Sequence, residues 1–75
     1  MTDRPMQTIR ELREARGLTQ QQLASELGIA MVTVYSWERG RNEPKASQLR
    51  ALARFFGVSM DDIAFETEHA KAARE

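Results

Sequence analysis

Residues 18–40, LTQQQLASELGIAMVTVYSWERG, decide the fold of this chain. Thr19 and Gln22 have the spacing of a capping box, in which two side chains satisfy backbone N–H groups at a helix start, so a helix is predicted from about Gln20. Gly28 favours the end of that helix, because glycine readily takes the left-handed conformation found there. The helix offers three apolar side chains to a core: Leu23, Ala24 and Leu27.

A second short helix is predicted after a connection of three residues, Gly28 to Ala30. It runs from Met31 to about Arg39, and Gly40 ends it. Two short helices joined by so few residues cannot lie antiparallel along their lengths. They must therefore cross steeply.

The second helix has two unlike faces. At about 100° per residue, Val34 and Trp37 fall on one face, with Glu38 at its edge, and can serve the core. The residues left over are Met31, Val32, Tyr35, Ser36 and Arg39. This leftover face is either ordinary surface, where single apolar side chains are common, or a surface that contacts a partner.

Further helices are predicted on both sides of this pair: about Met6 to Arg16, about Ala46 to Phe56, and a short fifth helix from Met60 to about Phe65. No segment shows sustained alternation with period 2, so the expected fold class is all-α, a compact five-helix domain over residues 6–65. The charged tail, residues 66–75, is predicted to be frayed helix or disorder. The predicted core consists of Ile9, Leu12, Leu23, Leu27, Val34, Trp37, Leu49, Leu52 and Phe56.

The composition, 41% hydrophobic and 29% charged over 75 residues, is that of one small globular domain. The absence of cysteine fits a reducing, cytoplasmic location, and neither a membrane span nor a signal peptide is expected. The net charge is zero, but residues 1–50 carry eight Lys/Arg against six Asp/Glu, and the remainder carry three against five. The zero net charge therefore conceals an uneven distribution, in which basic residues lie near the second helix of the pair and acidic residues lie toward the C-terminus.

Residues 18–63, preceded by IRELREARG at residues 9–17, resemble the Cro/C1-type (XRE-like, lambda repressor-like) helix-turn-helix domain of phage repressors and bacterial transcriptional regulators. The markers occur in order along the chain: R-x-x-x-G-L-T-Q, L-A-x-x-L-G-I, V-x-x-W-E-R-G, a proline, and L-x-x-L-A-x-x-F-G-V. The resemblance covers about residues 6–65, with the helix-turn-helix unit at about 20–39. It implies a double-stranded DNA partner.

The resemblance also assigns roles by position. The helix from Met31 to Arg39 would enter the major groove, and the helix from Gln20 to Leu27 would lie across the DNA backbone. The leftover face would then read bases through Met31, Val32, Tyr35, Ser36 and Arg39. Phosphates would be bound by Gln20 at the first turn of its helix, and also by the three cations that flank the groove helix, Arg39, Arg41 and Lys45. Each of these charges has the alternative of being solvated surface.

A structural ion pair is implied between Arg13 and Glu38, which would tie the first helix to the reading helix. Two positions depart from the family pattern. Ala30 replaces a common Ser or Thr, which removes a helix cap. Met31 and Val32 replace residues that form hydrogen bonds, so direct readout there is limited to contacts with thymine methyl groups.

The resulting hypothesis is a sequence-specific DNA-binding regulator, a repressor acting as a homodimer on a palindromic operator. One reading helix covers too few base pairs for selectivity in a genome. The residues predicted to form the dimer contact are Val58, Met60, Ile63 and Phe65.

The alternative hypothesis is a protein-interaction module of the same fold, such as an antitoxin or co-regulator, that binds a partner protein through Met31, Val32 and Tyr35. No cofactor is expected. His69, the sole histidine, lies in the tail, so no metal site is expected either. No nucleophilic or acid–base constellation suggests an enzyme.

Overall fold

The computed structural model describes residues 6–64. They form four α-helices, one 3-10 helix and two short strands. In chain order these are β1 (Gln7–Thr8), α1 (Ile9–Ala15), α2 (Gln20–Leu27), α3 (Met31–Glu38), α4 (Ala46–Phe56), the 3-10 helix (Met60–Asp62) and β2 (Ile63–Ala64). The strands pair in parallel, so the two ends of the described chain meet.

Helix α1 begins three residues later than predicted, because Thr8 caps it. The Thr8 hydroxyl oxygen accepts the Glu11 N–H at 3.1 Å, and the Glu11 carboxylate accepts the Thr8 N–H at 2.9 Å. This is a complete capping box, and the Thr-x-x-Glu spacing was visible in the sequence. Residues 6–8, predicted as helix, therefore lie outside α1, and Gln7 and Thr8 form β1.

The predicted fifth helix, Met60 to Phe65, is wrong in type and length. It is a single 3-10 turn, started by the Ser59 hydroxyl oxygen accepting the Asp61 N–H at 3.2 Å. Ile63 then has an extended backbone and pairs with Gln7 across the strands. Phe65 and the predicted tail lie outside the described residues. The domain is predominantly helical with four α-helices, and the five-helix prediction needs this correction.

One hydrophobic core joins the four α-helices. Its buried residues are Ile9, Leu12, Leu23, Ala24, Val34, Trp37, Leu52, Ala53, Phe56 and Ile63. Most of these residues were predicted. Leu27 and Leu49, also predicted in the core, are only partly buried at its margin, and Ile63 had been predicted to lie in the dimer contact. The centre of the core is formed by Leu23, Val34 and Leu52, whose side chains are fully buried. Helices α2 and α3 are thus held by the same apolar cluster.

We expect Leu27→Ala to lower the free energy of unfolding by about 2 kcal/mol, the low end of the range for truncating leucine, because its side chain is partly buried. Urea titration followed by circular dichroism measures this. Glu26→Ala is the matched control at an exposed neighbouring position, where about 0.5 kcal/mol or less is expected. Equal effects in the two variants would contradict the packing described for Leu27.

Candidate nucleic-acid interface

The α2–α3 connection is a tight turn built by local backbone bonds. Gly28 adopts a left-handed conformation, φ 71° and ψ 33°, and the Ile29 N–H returns to the Ala24 carbonyl at 3.0 Å. The Ile29 side chain packs against the core, which fixes the direction in which the chain leaves α2. Ala30 then starts α3 without a side-chain cap, as its methyl group requires.

Helix α3 divides its side chains as the periodicity predicted. Val34 and Trp37 are buried in the core. Met31, Val32 and Tyr35 are 44%, 61% and 40% exposed. Three of the five exposed large apolar side chains in residues 6–64 thus belong to this one helix. The predicted base-readout face is completed by Ser36, which is half-buried, and Arg39, which is exposed.

Arg39 lies at the C-terminus of α3 and stacks on its own helix. Its guanidinium carbon is 5.6 Å from the centre of the Tyr35 ring. An exposed cation–π contact of this kind contributes about 0.5–1 kcal/mol, enough to favour one direction of the side chain without fixing it. This contact favours a direction of the side chain in which the Arg39 hydrogen-bond donors lie along the exposed face of the helix.

Arg13, Gln20 and Glu38 form one hydrogen-bonded cluster. Arg13 donates from Nε to Glu38 Oε2 at 2.6 Å and from Nη2 to Oε1 at 3.0 Å, a bidentate pair between α1 and α3. The two side chains are only 11% and 5% exposed. Arg13 Nη1 also donates to the Leu18 carbonyl at 2.7 Å. The hydrogen bond to Glu38 raises the pKa of Arg13 above its ordinary value, so the guanidinium stays charged.

Gln20, predicted to bind phosphate, contacts this ion pair. Its Nε2 donates to Glu38 Oε1 at 3.0 Å, and the side chain is half-buried at the first turn of α2. This contact was not predicted from the sequence. A signal existed, since Arg13 leaves lone pairs on the Glu38 carboxylate unused and a buried carboxylate needs additional donors.

Arg41 and Lys45 are exposed in the segment between α3 and α4. Two hydrogen bonds order this segment: the Arg41 N–H donates to the Ser36 carbonyl at 3.0 Å, and the Lys45 N–H donates to the side-chain oxygen Oε1 of Gln48 at 2.8 Å. Neither side chain forms a salt bridge within residues 6–64. Their charges are therefore available to an anionic partner, although Glu43 lies between them in sequence.

Three of the four residues predicted to form the dimer contact lie in the described part of the chain, and they differ in exposure. Ile63 is 3% exposed and belongs to the protomer's own core, so its assignment to an exposed contact is wrong. Val58 is partly buried against the same core, and Met60 is 42% exposed. Phe65 lies outside the described residues. Of the three described residues, Met60 and part of Val58 remain accessible to a second copy.

A cleft of about 210 Å³ lies between the end of α2, α3 and the start of α4, and it was not expected. Its lining residues are Leu27, Ile29, Trp37, Ser47, Gln48 and Ala51. In the described part of the chain, no cluster of His, Cys, Asp or Glu could hold a metal ion. No helix there has the length and apolar character needed to cross a bilayer.

The helix-turn-helix family profile matches residues 9–63, which are most of the chain and contain both α2 and α3. The chain belongs to the Cro/C1-type helix-turn-helix family. The matched residues include α2, the turn at residues 28–30 and α3 with its exposed apolar side chains.

Relatives of this helix-turn-helix domain carry regulatory names. The HTH-type transcriptional activator BcrR of Enterococcus faecalis is 33% identical over 55 residues, which are 73% of this chain and 27% of that protein. The cryptic phage CTXphi transcriptional repressor RstR of Vibrio cholerae is 33% identical over 60 residues, 80% of this chain and 54% of that protein. An HTH-type transcriptional regulator of Methanocaldococcus jannaschii is 37% identical over 51 residues, 68% and 77% of the two chains. The chain thus spans about half or less of the first two relatives.

Proposed function

We propose that this chain is a non-enzymatic, cytoplasmic transcriptional regulator that binds a palindromic operator in double-stranded DNA as a homodimer. The observation that supports this most is the exposed face of α3 in a Cro/C1-type domain, followed in the chain by Arg41 and Lys45, which are exposed and form no salt bridge within residues 6–64. In this mechanism α3 enters the major groove and its exposed side chains touch base edges. The cations on either side bind phosphates and set the register.

Repression is the simplest outcome of such binding. A dimer that covers about two half-sites excludes other proteins from the same DNA, and this needs no further activity from the domain. Among the relatives RstR is named a repressor and BcrR an activator, so the proposal of repression rests on this exclusion of other proteins. No cofactor is part of the mechanism, because positioning and charge neutralisation are the whole of its chemistry.

We expect Arg41→Ala and Lys45→Ala each to weaken binding to all duplexes to a similar extent. Each substitution removes one phosphate contact, so each should reduce the slope of log affinity against log salt by about one unit. Fluorescence anisotropy at several salt concentrations measures the slope. Arg10→Ala is the control, because Arg10 lies on α1 and pairs with Glu14 at 3.0 Å. A slope unchanged in both test variants would make Arg41 and Lys45 solvated surface charges.

We expect two copies of the chain to bind each operator, with reading helices about 34–36 Å apart, one turn of DNA. A two-fold contact around Met60 and the exposed part of Val58 would set this spacing. Analytical ultracentrifugation with and without operator DNA tests the stoichiometry, and Met60→Glu should weaken the dimer by placing like charges across the two-fold axis. A clean monomer under both conditions would contradict the homodimer.

A second candidate function is a protein-interaction module, as in an antitoxin or co-regulator. The three exposed apolar side chains on α3 favour it, since Met31, Val32 and Tyr35 offer apolar area and few hydrogen bonds. Both functions use the same face. They differ in whether substitutions there change the sequence of the preferred DNA.

A further inference from the structure

The Glu38 carboxylate joins a structural contact to a proposed DNA contact. It accepts two hydrogen bonds from Arg13 on α1 and one from Gln20 at the start of α2. Its side chain is 5% exposed, so its lone pairs are satisfied almost entirely by these groups. Glu38 itself cannot reach DNA as a favourable partner, because a carboxylate and a phosphate repel each other.

The chemistry of the carboxylate fixes the orientation of the Gln20 amide. An ionised carboxylate only accepts hydrogen bonds, so the amide must turn its nitrogen toward Glu38 and its oxygen away. One of the two Nε2 protons is used in this bond. A phosphate also only accepts, and so the second proton on the same nitrogen is the one side-chain group with which Gln20 can bind it.

We propose that Glu38 is a positioning residue for DNA binding, which holds the Gln20 amide so that its second Nε2 proton is presented to a phosphate. The inference rests on the proposed DNA-binding function and adds a dependence of that phosphate contact on the ion pair between α1 and α3. A free glutamine side chain loses conformational entropy when it binds a phosphate. Because the bond to Glu38 already restricts the Gln20 rotamers in the free protein, less entropy is lost on binding.

Arg13 makes this arrangement compatible with an anionic partner. A lone carboxylate beside the first turn of α2 would repel a phosphate, but the Arg13 guanidinium lies against it in a bidentate pair. The pair is neutral as a unit. It can therefore orient the amide without opposing the positive end of the α2 dipole.

A double-substitution cycle tests the inference. The wild-type chain, Gln20→Ala, Glu38→Gln and the double variant are titrated with a duplex that the wild type binds, at one salt concentration and a temperature at which circular dichroism shows each chain folded. In Glu38→Gln a single carbonyl oxygen replaces the two carboxylate oxygens, so two donors of Arg13 and one of Gln20 compete for it and the Gln20 amide is held less firmly. Gln20→Ala should lower affinity about tenfold in the wild type and less than about threefold in the Glu38→Gln background.

The control cycle replaces Gln20→Ala with Lys45→Ala, whose effect should be the same in both backgrounds. Equal factors for Gln20→Ala in the two backgrounds would overturn the inference and leave Glu38 with a structural role alone. A wild type that binds no duplex in a selection from random DNA overturns the proposed function, and the inference with it. The two failures are therefore distinguishable.

Nuclear magnetic resonance gives a second test, which uses the wild-type chain alone and so does not depend on the folding of any variant. In the free wild-type chain, the Gln20 Nε2 group should be as rigid as the surrounding backbone, with an order parameter of about 0.8 or more. One of its two proton signals should shift when the duplex is added. A mobile Gln20 amide in the folded free protein would overturn the inference.

Discussion

Arg13→Ala is expected to lower the free energy of unfolding by about 3–5 kcal/mol, because it leaves the Glu38 carboxylate buried without its counter-charge. The two side chains are 11% and 5% exposed and are joined by two hydrogen bonds. Removing Arg13 also leaves the Leu18 carbonyl without that donor. The loss would be a large part of the stability of a domain of this size, for which about 4–11 kcal/mol is typical.

Urea titration at low temperature measures this loss, and Arg10→Ala is the matched control on the same helix. Arg10 pairs with Glu14 at 3.0 Å, but these side chains are 67% and 54% exposed, so about 0.5 kcal/mol or less is expected. The double variant Arg13→Met with Glu38→Leu should be more stable than Arg13→Ala, because no unpaired charge remains buried. A loss below about 1 kcal/mol for Arg13→Ala would mean that Glu38 finds water or another donor.

Helix α2 could be predicted because its signals are local. The Thr19 N–H donates to Gln22 Oε1 at 2.8 Å and the Gln22 N–H to Thr19 Oγ1 at 3.0 Å, which is the capping box that the spacing indicated. The predicted bounds, Gln20 to Leu27, are confirmed. The division of α3 into a buried and an exposed face follows from the same kind of evidence, since one helical period sets both.

The strand pair could not be predicted in this way. Each strand has two residues, too few for period-2 alternation, and Gln7 pairs with Ile63 from the opposite end of the domain. That pairing draws Ile63 into the core, so a residue assigned to a partner surface became an interior one. The Thr8–Glu11 capping box was present in the sequence and was overlooked.

The Gln20–Glu38 contact was hidden for a different reason. It joins residues 18 positions apart, and it depends on how the start of α2 meets the end of α3. A sequence pattern assigns each residue a separate role, here a phosphate contact and half of an ion pair. Only packing places the two side chains together, so the coupling of the roles had to come from the structure.

Val32→Gln is expected to change which DNA the chain prefers, by about 1–3 kcal/mol at one position of each half-site. Val32 is 61% exposed, the highest fraction among the large apolar side chains of residues 6–64. A valine can only pack against the C5-methyl group of thymine, whereas glutamine can form two hydrogen bonds with adenine. The preferred base should therefore change from thymine to adenine.

In a palindromic operator the substitution acts twice, so the discrimination between the two operators should reach about 2–6 kcal/mol if the half-sites contribute independently. Selection from random duplexes with the wild type, Val32→Gln and Val32→Ala measures it. Val32→Ala is the control, because a shorter apolar side chain should weaken the thymine preference without creating a new one. Stability should change by no more than about 0.5 kcal/mol in either variant, since the side chain is exposed, so a changed half-site cannot come from unfolding.

Recovery of the same half-site by all three chains would mean that Val32 does not face bases. That result would favour a protein partner for the exposed face of α3. Its three apolar side chains, Met31, Val32 and Tyr35, would still be exposed to solvent without a DNA contact to cover them.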